Sequence, residues 1–417
     1  MASLNFEGEF QELSSIQVEF IRGVLVKRGY VNNRVTFSPV GKIGDNYGAN
    51  VKRIVVAVEN GENFNMIVKI APKEESLRNI LKADILFRNE TVMYTDILPK
   101  FQSLQKIAGV AKEDVLRFAE CYGFFTTEPH EIILLEDLKI SHFNMLDKLQ
   151  PLPHDAVKLI LKNFAILHSL TYILKKFEPD VYRSFKNKLT DLWCLANNSK
   201  NNNMWTQVET EIINNMLDSE DYRSAVRGAI SQGIVRYANA TNDDKKFDKS
   251  VILQGDGWTN NIMFLIEDET MKECVMIDYQ LSREANPVSD ILYMVFNCTD
   301  YKTRKEYFNH WIDYYYTELD RSLNSFGMAA NLTYPRDLLD ADMKKYSIIN
   351  FGISIYVLNI LLRQADEAAE VKNAMSVDDD TKSADSITIL NLSAKTRKLY
   401  KKRIEELVDS CRELNLF

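Results

Sequence analysis

Cysteine is scarce in this chain, and what little there is does not pair. The five residues Cys121, Cys194, Cys274, Cys298 and Cys411 are odd in number, far apart and free of any CxxC spacing. That excludes a disulfide framework and argues against a zinc site, so a reducing compartment, the cytoplasm, is expected. The five histidines are equally scattered, with no HExxH. There is no basic patch either. The formal net charge is −8, with Lys and Arg spread along the chain, so a nucleic-acid partner is not expected. The opening "MASLNFEGEFQELSSIQVEF" lacks a basic n-region and an unbroken apolar stretch, and is not read as a secretory signal. The most apolar late run, "FGISIYVLNILL" from Phe351 to Leu362, is too short to span a bilayer. It reads as a buried helix, and no membrane insertion is expected.

What is present is ordinary globular material. The chain has 417 residues, 46% hydrophobic and 26% charged, enough for two domains and a sizeable core. A helical pattern near Phe10–Lys27 precedes strand-like runs "RVTFSPV", "VKRIVVAVEN" and "NMIVKIAP", the last two joined by a turn at "ENGEN". A helix is expected from about Ser76 to Ile97, stopped by Pro99. "EIILLEDL" is one more strand. Then the pattern changes. "PHDAVKLILKNFAILHSLTYILKK" is a long amphipathic helix, and further helical segments run to a polar loop, "TNDDKKFDKS". Short strands flank Asp256 and Asp278, and the remainder is helical. The acidic stretch Ser376–Ser386 is expected to be a mobile loop. This order gives an α+β, two-lobed, protein-kinase-like fold. Residues 1–137 form a small β-rich N-lobe with the hinge near Glu136, and residues 138–417 a large, mostly helical C-lobe.

Phosphoryl transfer needs a cradle for phosphates, a cation to grip them, metal ligands and a group that orients the attacking hydroxyl. "GKIGDNYGAN" lies between strands and offers glycines and backbone N–H groups, with Gly44, Asp45 and Asn46 at its centre. By itself it also fits an ordinary Gly-rich hairpin turn. Lys69 stands inside an apolar strand and needs a partner, which Glu90 on the next helix can supply. Taken singly, both also fit solvent-facing positions. The stronger signal is "VILQGDGWTNNIMF" followed by "VMIDYQ". Asp256, on a loop between strands, is placed to orient a hydroxyl. The amide of Asn261, five residues on, and the carboxylate of Asp278 at a strand end suit a hard metal ion. Asp290, near a helix start, reads as a cap or a brace on this loop. His168, among apolar neighbours on the long helix, reads as a core residue.

In the same order, these pieces resemble the ecdysteroid kinase-like family, relatives of choline and aminoglycoside kinases. The family pattern HGDxWxxNxMF stands here as "QGDGWTNNIMF" and D-[FY]-Q as Asp278-Tyr279-Gln280. "GDNY", "VKIAP", Glu90 with Tyr94 and "ILP", "LLEDL" and "LHSLT" also fit. The resemblance implies ATP and Mg2+ as cosubstrates and a small-molecule alcohol as acceptor, an ecdysteroid or similar bulky apolar alcohol. Carried over by residue, it implies Lys69 on the phosphates with Glu90 as its partner, Asp256 orienting the acceptor, and Asn261 and Asp278 on metal. Glu136 falls in the hinge.

Two positions depart from the pattern. Gln254 stands in place of the family's histidine and Ala49 in place of a frequent serine. Gln offers a donor and an acceptor of similar reach, so some loss of loop rigidity is expected and loss of activity is not. The alternatives are a nucleotide-binding pseudokinase or small-molecule binding protein, and a kinase for cationic acceptors of the choline or aminoglycoside type.

Overall fold

The computed structural model describes residues 4–41, 48–59, 61–246, 248–375 and 391–417. Gly44, Asp45 and Asn46 of the glycine-rich loop, and the expected mobile stretch Ser376–Ser386, lie outside the described residues. Six strands form the first sheet: β1 Asn5–Gly8, β2 Arg34–Pro39, β3 Asn50–Val56, β4 Phe64–Ile70, β5 Cys121–Phe125 and β6 Ile132–Glu136. Their order is β1-β2-β3-β4-β6-β5, with β1 parallel to β2 and every other pair antiparallel. Helix α1 (Ser15–Lys27) covers one face. It starts at a capping box in which Ser14 and Gln17 satisfy each other's backbone N–H groups.

Alternation along the strands divides two cores. Ile132 and Leu134 of β6 join Met66, Val68 and Ile70 of β4 and Ile21 and Leu25 of α1 in a small core. Ile133 and Leu135 face the other way, into the continuous core of the helical lobe. Lys69 pairs with Ile133 in register and shares that second face, which explains how a lysine comes to be buried in an apolar strand.

Between the sheet's fourth and fifth strands run α2 (Glu75–Leu81), α3 (Ala83–Val92) and α4 (Leu98–Ile107). The expected single helix from Ser76 to Ile97 is broken at Lys82, which adopts φ 55°. Nor does it stop at Pro99. A π-helical turn over Met93–Ile97 leads directly into α4, where Pro99 sits in the first turn and its missing N–H costs nothing.

The C-lobe contains α5 (His154–Phe177), α6 (Pro179–Lys188), α7 (Leu192–Leu195), α8 (Ser199–Asn215), α9 (Glu220–Val226) and α10 (Gly233–Lys246). After an island of short strands follow α11 (Val288–Cys298), α12 (Tyr301–Asn324), α13 (Ala330–Thr333), α14 (Arg336–Leu361), α15 (Ala365–Met375) and α16 (Ala394–Glu413). The polar run expected as a loop from Thr241 is instead helical to Lys246. Buried Thr241 and Asp244 lie on its inner side, and Asp244 bonds Asn286, Lys345 and the Tyr346 hydroxyl. Helix α5 has the length and hydropathy of a membrane span, but 78% of its apolar window is buried within the protein. It forms the spine of the C-lobe, with α12 alongside.

The strand island carries the site. β7 (Phe143–Asn144), β9 (Ile262–Glu267) and β10 (Thr270–Met276) make one small sheet, and β8 (Val251–Ile252) with β11 (Glu284–Ala285) another. Asp256 and Asn261 occupy the β8–β9 connection, and Asp278 follows β10.

Candidate functional site

Backbone restrictions shape the β8–β9 connection. Gly255 has φ +90°, and a Cβ there would stand 2.2 Å from the Leu281 carbonyl oxygen, so no other residue fits. The turn closes through Trp258 N–H to the Asp256 carbonyl and Asn261 N–H to the Trp258 carbonyl, each at 2.8 Å. Ile277 N–H donates to the Asn261 carbonyl at 2.9 Å, which aligns this loop with the segment that carries Asp278. Asp278 itself has φ 60°. A non-glycine residue pays roughly 1–2 kcal/mol for that conformation, and here it turns the carboxylate back toward Lys69.

The polar side chains converge. Lys69 Nζ lies 2.6 Å from Glu90 Oε2 and 3.0 Å from Asp278 Oδ1. Across the loop, Asn261 Nδ2 donates to Asp256 Oδ2 at 2.9 Å and to the Asp256 carbonyl at 3.0 Å. The Tyr293 hydroxyl donates to Asp256 Oδ1 at 2.7 Å. With the amide nitrogen of Asn261 engaged twice, its carbonyl oxygen is the atom left for a ligand.

Three carboxylates and one ammonium leave this cluster short of positive charge. Burial opposes the charge of Lys69, but Asp278 and Glu90 overcome it and hold the ammonium above its ordinary range. Burial pushes Glu90 above the usual carboxylate range, against the pull of Lys69 and with the repulsion of Asp278. The two directions agree physically. An ammonium shared by two carboxylates is doubly stabilised, while each carboxylate feels the other. Asp256 is pushed up to about 7, first by burial and then by Asp278. A hard divalent cation between the Asp256–Asn261 loop and Asp278 would relieve that excess. Among the described residues no three His, Cys, Asp or Glu side chains enclose a metal by themselves.

Side chains add further support around the loop. Gln254 spans it. Its Oε1 accepts from Asp256 N–H at 2.7 Å, and its Nε2 donates to the carbonyls of Ile277 at 3.0 Å and Asp278 at 3.1 Å. The amide in the histidine's place therefore ties the two carboxylate-bearing segments together. Asp290, in the first turn of α11, accepts the N–H groups of Gln254 and Gly255 at 2.9 Å each. The brace reading of Asp290 thus describes its contacts. His168 is fully buried between Asp290 Oδ2 at 3.2 Å and the Tyr315 hydroxyl at 2.9 Å, a satisfied core residue that steadies the brace. Ser282 Oγ donates to the Gln254 carbonyl at 2.9 Å, and Arg283 Nη1 donates to the Gly255 carbonyl at 3.0 Å.

Not every expected residue joins the cluster. Glu136 ends β6, where its carboxylate accepts from Glu120 N–H and faces Arg117 at 3.5 Å. The backbone N–H of Glu136 is taken by the Glu120 carbonyl at 2.8 Å. Its neighbour Asp137 pairs with Arg53 and accepts from Lys139 N–H. Gly48, at the edge of the glycine-rich loop, approaches Gln280 so closely that a Cβ would meet its Oε1 at 2.7 Å. Tyr293, Ser282 and Arg283 were not foreseen. Tyr293 stands at i+3 from Asp290 and so shares its helix face, a signal the sequence does carry. A hollow of about 600 Å³ at the far end of α5, lined by Tyr172, Lys175 and Met328 among others, touches none of these residues.

A β-rich lobe with a buried lysine–glutamate pair, set over a helical lobe with a braced Asp–Asn loop and a facing Asp, defines the protein-kinase-like small-molecule phosphotransferases. The model of the ecdysteroid kinase-like family matches residues 43–328, more than half of the chain, and the chain belongs to that family. No curated protein matches it. Among solved structures it is similar to an ethanolamine kinase from Plasmodium vivax, at 12% identity and TM-score 0.42, over 90% of this chain and 81% of that one. The GDP complex of wild-type aminoglycoside 2'-phosphotransferase-IIIa aligns at 12% identity and TM-score 0.41, over 96% and 99%. A choline/ethanolamine kinase family protein from Mesorhizobium loti aligns at 13% and 0.38, over 93% and 99%. Likeness this distant transfers none of their ligands to this chain.

Proposed function

We propose that this protein transfers the terminal phosphoryl group of ATP, with Mg2+, to the hydroxyl of a small-molecule alcohol. One observation carries the reading: the buried pair Lys69 and Glu90 meets the half-buried Asp278 in one cluster, facing a loop on which Asp256 and Asn261 are bonded to each other. In this reading Lys69 grips phosphate oxygens and Glu90 holds the ammonium in place. The backbone around Gly44, Asp45 and Asn46 cradles the phosphates, and Glu136 marks the wall of the nucleotide cleft where the lobes divide, at residue 137. Asn261 and Asp278 hold Mg2+, which supplies positive charge against the phosphates. Asp256 accepts a hydrogen bond from the attacking hydroxyl and receives its proton. The new bond joins the alcohol oxygen to the γ-phosphorus as the bond to the bridging oxygen breaks, releasing ADP. A carboxylate whose pKa burial has raised to about 7 is a better proton acceptor than an exposed one.

For the acceptor we propose an ecdysteroid or similarly bulky apolar alcohol. Family membership supports this. The free thiols fit a cytoplasmic protein. The test is ATP consumption with sterols, ecdysteroids, choline and glycosides offered separately, and product masses measured. A phosphorylated steroid is expected. Phosphocholine alone would transfer the reading to a cationic acceptor, and ATP binding without any product would leave a pseudokinase.

A further inference from the structure

Asn89 precedes Glu90 on α3 and is fully buried, yet none of the roles above uses it. Its Oδ1 accepts from the backbone N–H of Thr190 at 2.9 Å. Its Nδ2 donates to the Thr190 carbonyl at 2.9 Å and to the Gln280 carbonyl at 3.3 Å. A side-chain amide that both gives to and takes from one backbone residue reproduces the paired bonds of a strand ladder. These partners belong to the other lobe. Thr190 lies in the connection between α6 and α7, and Gln280 follows Asp278.

Contacts continue from there to the loop. Asp191, next to Thr190, caps α7 by accepting from Trp193 N–H and Cys194 N–H, and it also accepts the Tyr237 hydroxyl at 2.9 Å. Arg283 Nε donates to that hydroxyl at 2.6 Å, and Arg283 Nη1 reaches the Gly255 carbonyl beside Asp256. On the near side, Glu90 holds Lys69. An unbroken path of buried and partly buried polar contacts and single peptide links thus runs from the N-lobe ammonium, through Asn89 and Thr190, to the carboxylate loop.

We propose that Asn89 is a positioning residue for phosphoryl transfer: its amide clasps α3 to the α6–α7 connection and to Gln280, setting the Lys69–Glu90 pair and the Asp256 loop in one register. This rests on the kinase reading given above. The physical reason is the cost of the alternative. If α3 swung away, the amide and three backbone groups would lose their partners in a buried place. Closed geometry is thereby favoured. Glu90 stands one residue from the clasp, so it moves when the clasp moves.

A double-mutant cycle with Asn89→Leu and Glu90→Gln tests this, read as kcat/KM for turnover of Mg·ATP. Misplacing a reacting group by about 1 Å costs roughly 100-fold, and Asn89→Leu should lose that much in the otherwise unchanged protein. In the Glu90→Gln background the pair is already broken, and the further loss should stay within about threefold. Additive losses would show that Asn89 does not act through Glu90. A second measurement uses the unaltered chain, so a folding failure of the variants cannot mask the answer. Saturating Mg·ATP should slow hydrogen exchange of the Thr190 amide at least about tenfold, together with α3. An unmoved Thr190 amide beside a protected α3 would overturn the clasp. A chain that neither binds Mg·ATP nor turns it over would overturn the kinase reading and this proposal with it. Binding and turnover with an additive cycle would overturn the proposal alone.

Discussion

Replacing Asp290 by Asn should cost stability and turnover together, because that carboxylate holds the catalytic loop by its backbone. Its two oxygens accept the N–H groups of Gln254 and Gly255 at 2.9 Å each, and Oδ2 also faces His168 Nε2 at 3.2 Å. An amide has one acceptor oxygen. Whichever backbone N–H keeps it, the other meets an NH2 group and is left unpaired. A buried donor without an acceptor costs about 1–3 kcal/mol, so Asp290→Asn should lose about that much. Asp290→Ala strands both donors and should lose roughly 2–6 kcal/mol by the same reckoning. The loop then has less to fix Asp256, and kcat should fall on the order of 100-fold, as for a misplaced reacting group. Lys69 and Glu90 are untouched, so the KM for ATP should stay within about threefold of the unaltered value. Urea unfolding midpoints give the first quantity and steady-state kinetics the second. If Asp290→Asn unfolds at the same midpoint and turns over normally, the carboxylate does not support the loop and the reasoning fails.

Asp256→Asn should fold and bind Mg·ATP while turnover falls about 10²- to 10⁴-fold, the usual contribution of a positioned proton acceptor; undiminished turnover would remove Asp256 from the chemistry. Asp278→Ala should abolish the part of the ATP-induced thermal shift that depends on Mg2+, and an unchanged shift would place the ion elsewhere. Gln254→Ala unpairs one N–H and loses a donor to two carbonyls, so kcat should drop, whereas Gln254→His should keep or raise it. Restoration of activity by Gln254→His in a natural protein that has none would identify a pseudokinase.

Much of this was open to a reader of the sequence, and the reason is locality. The β3–β4 hairpin and α5 declare themselves through short-range alternation and helical spacing. Asp256 and Asn261 lie within one turn, and Lys69 betrays itself as a charge in an apolar strand. Local spacing fails where geometry is cooperative. Pro99 reads as a stop, yet a π-helical turn absorbs it. The polar residues after Thr241 read as a loop, but Asp244 has Asn286, Lys345 and Tyr346 to receive it inside the protein. β1 and β5 escaped notice as short edge strands, each bounded by pairing on one side only. Asn89 and Arg283 matter through partners brought together from distant segments, and no window of sequence shows that. The fold was therefore more legible than the supports of the site.

The amide at position 254 also bears on acidity. Where an imidazole holds such a loop, its charge changes within about pH 5 to 8, and its hydrogen bonding changes with it. A primary amide has no proton to gain or lose in that range. The bonds from Gln254 to Asp256, Ile277 and Asp278 thus persist across it. A fall of transfer in mild acid would then not originate in these bonds. At this one position the loop is buffered by composition: the tie between its two carboxylate-bearing segments would survive an acidified compartment that silences their chemistry.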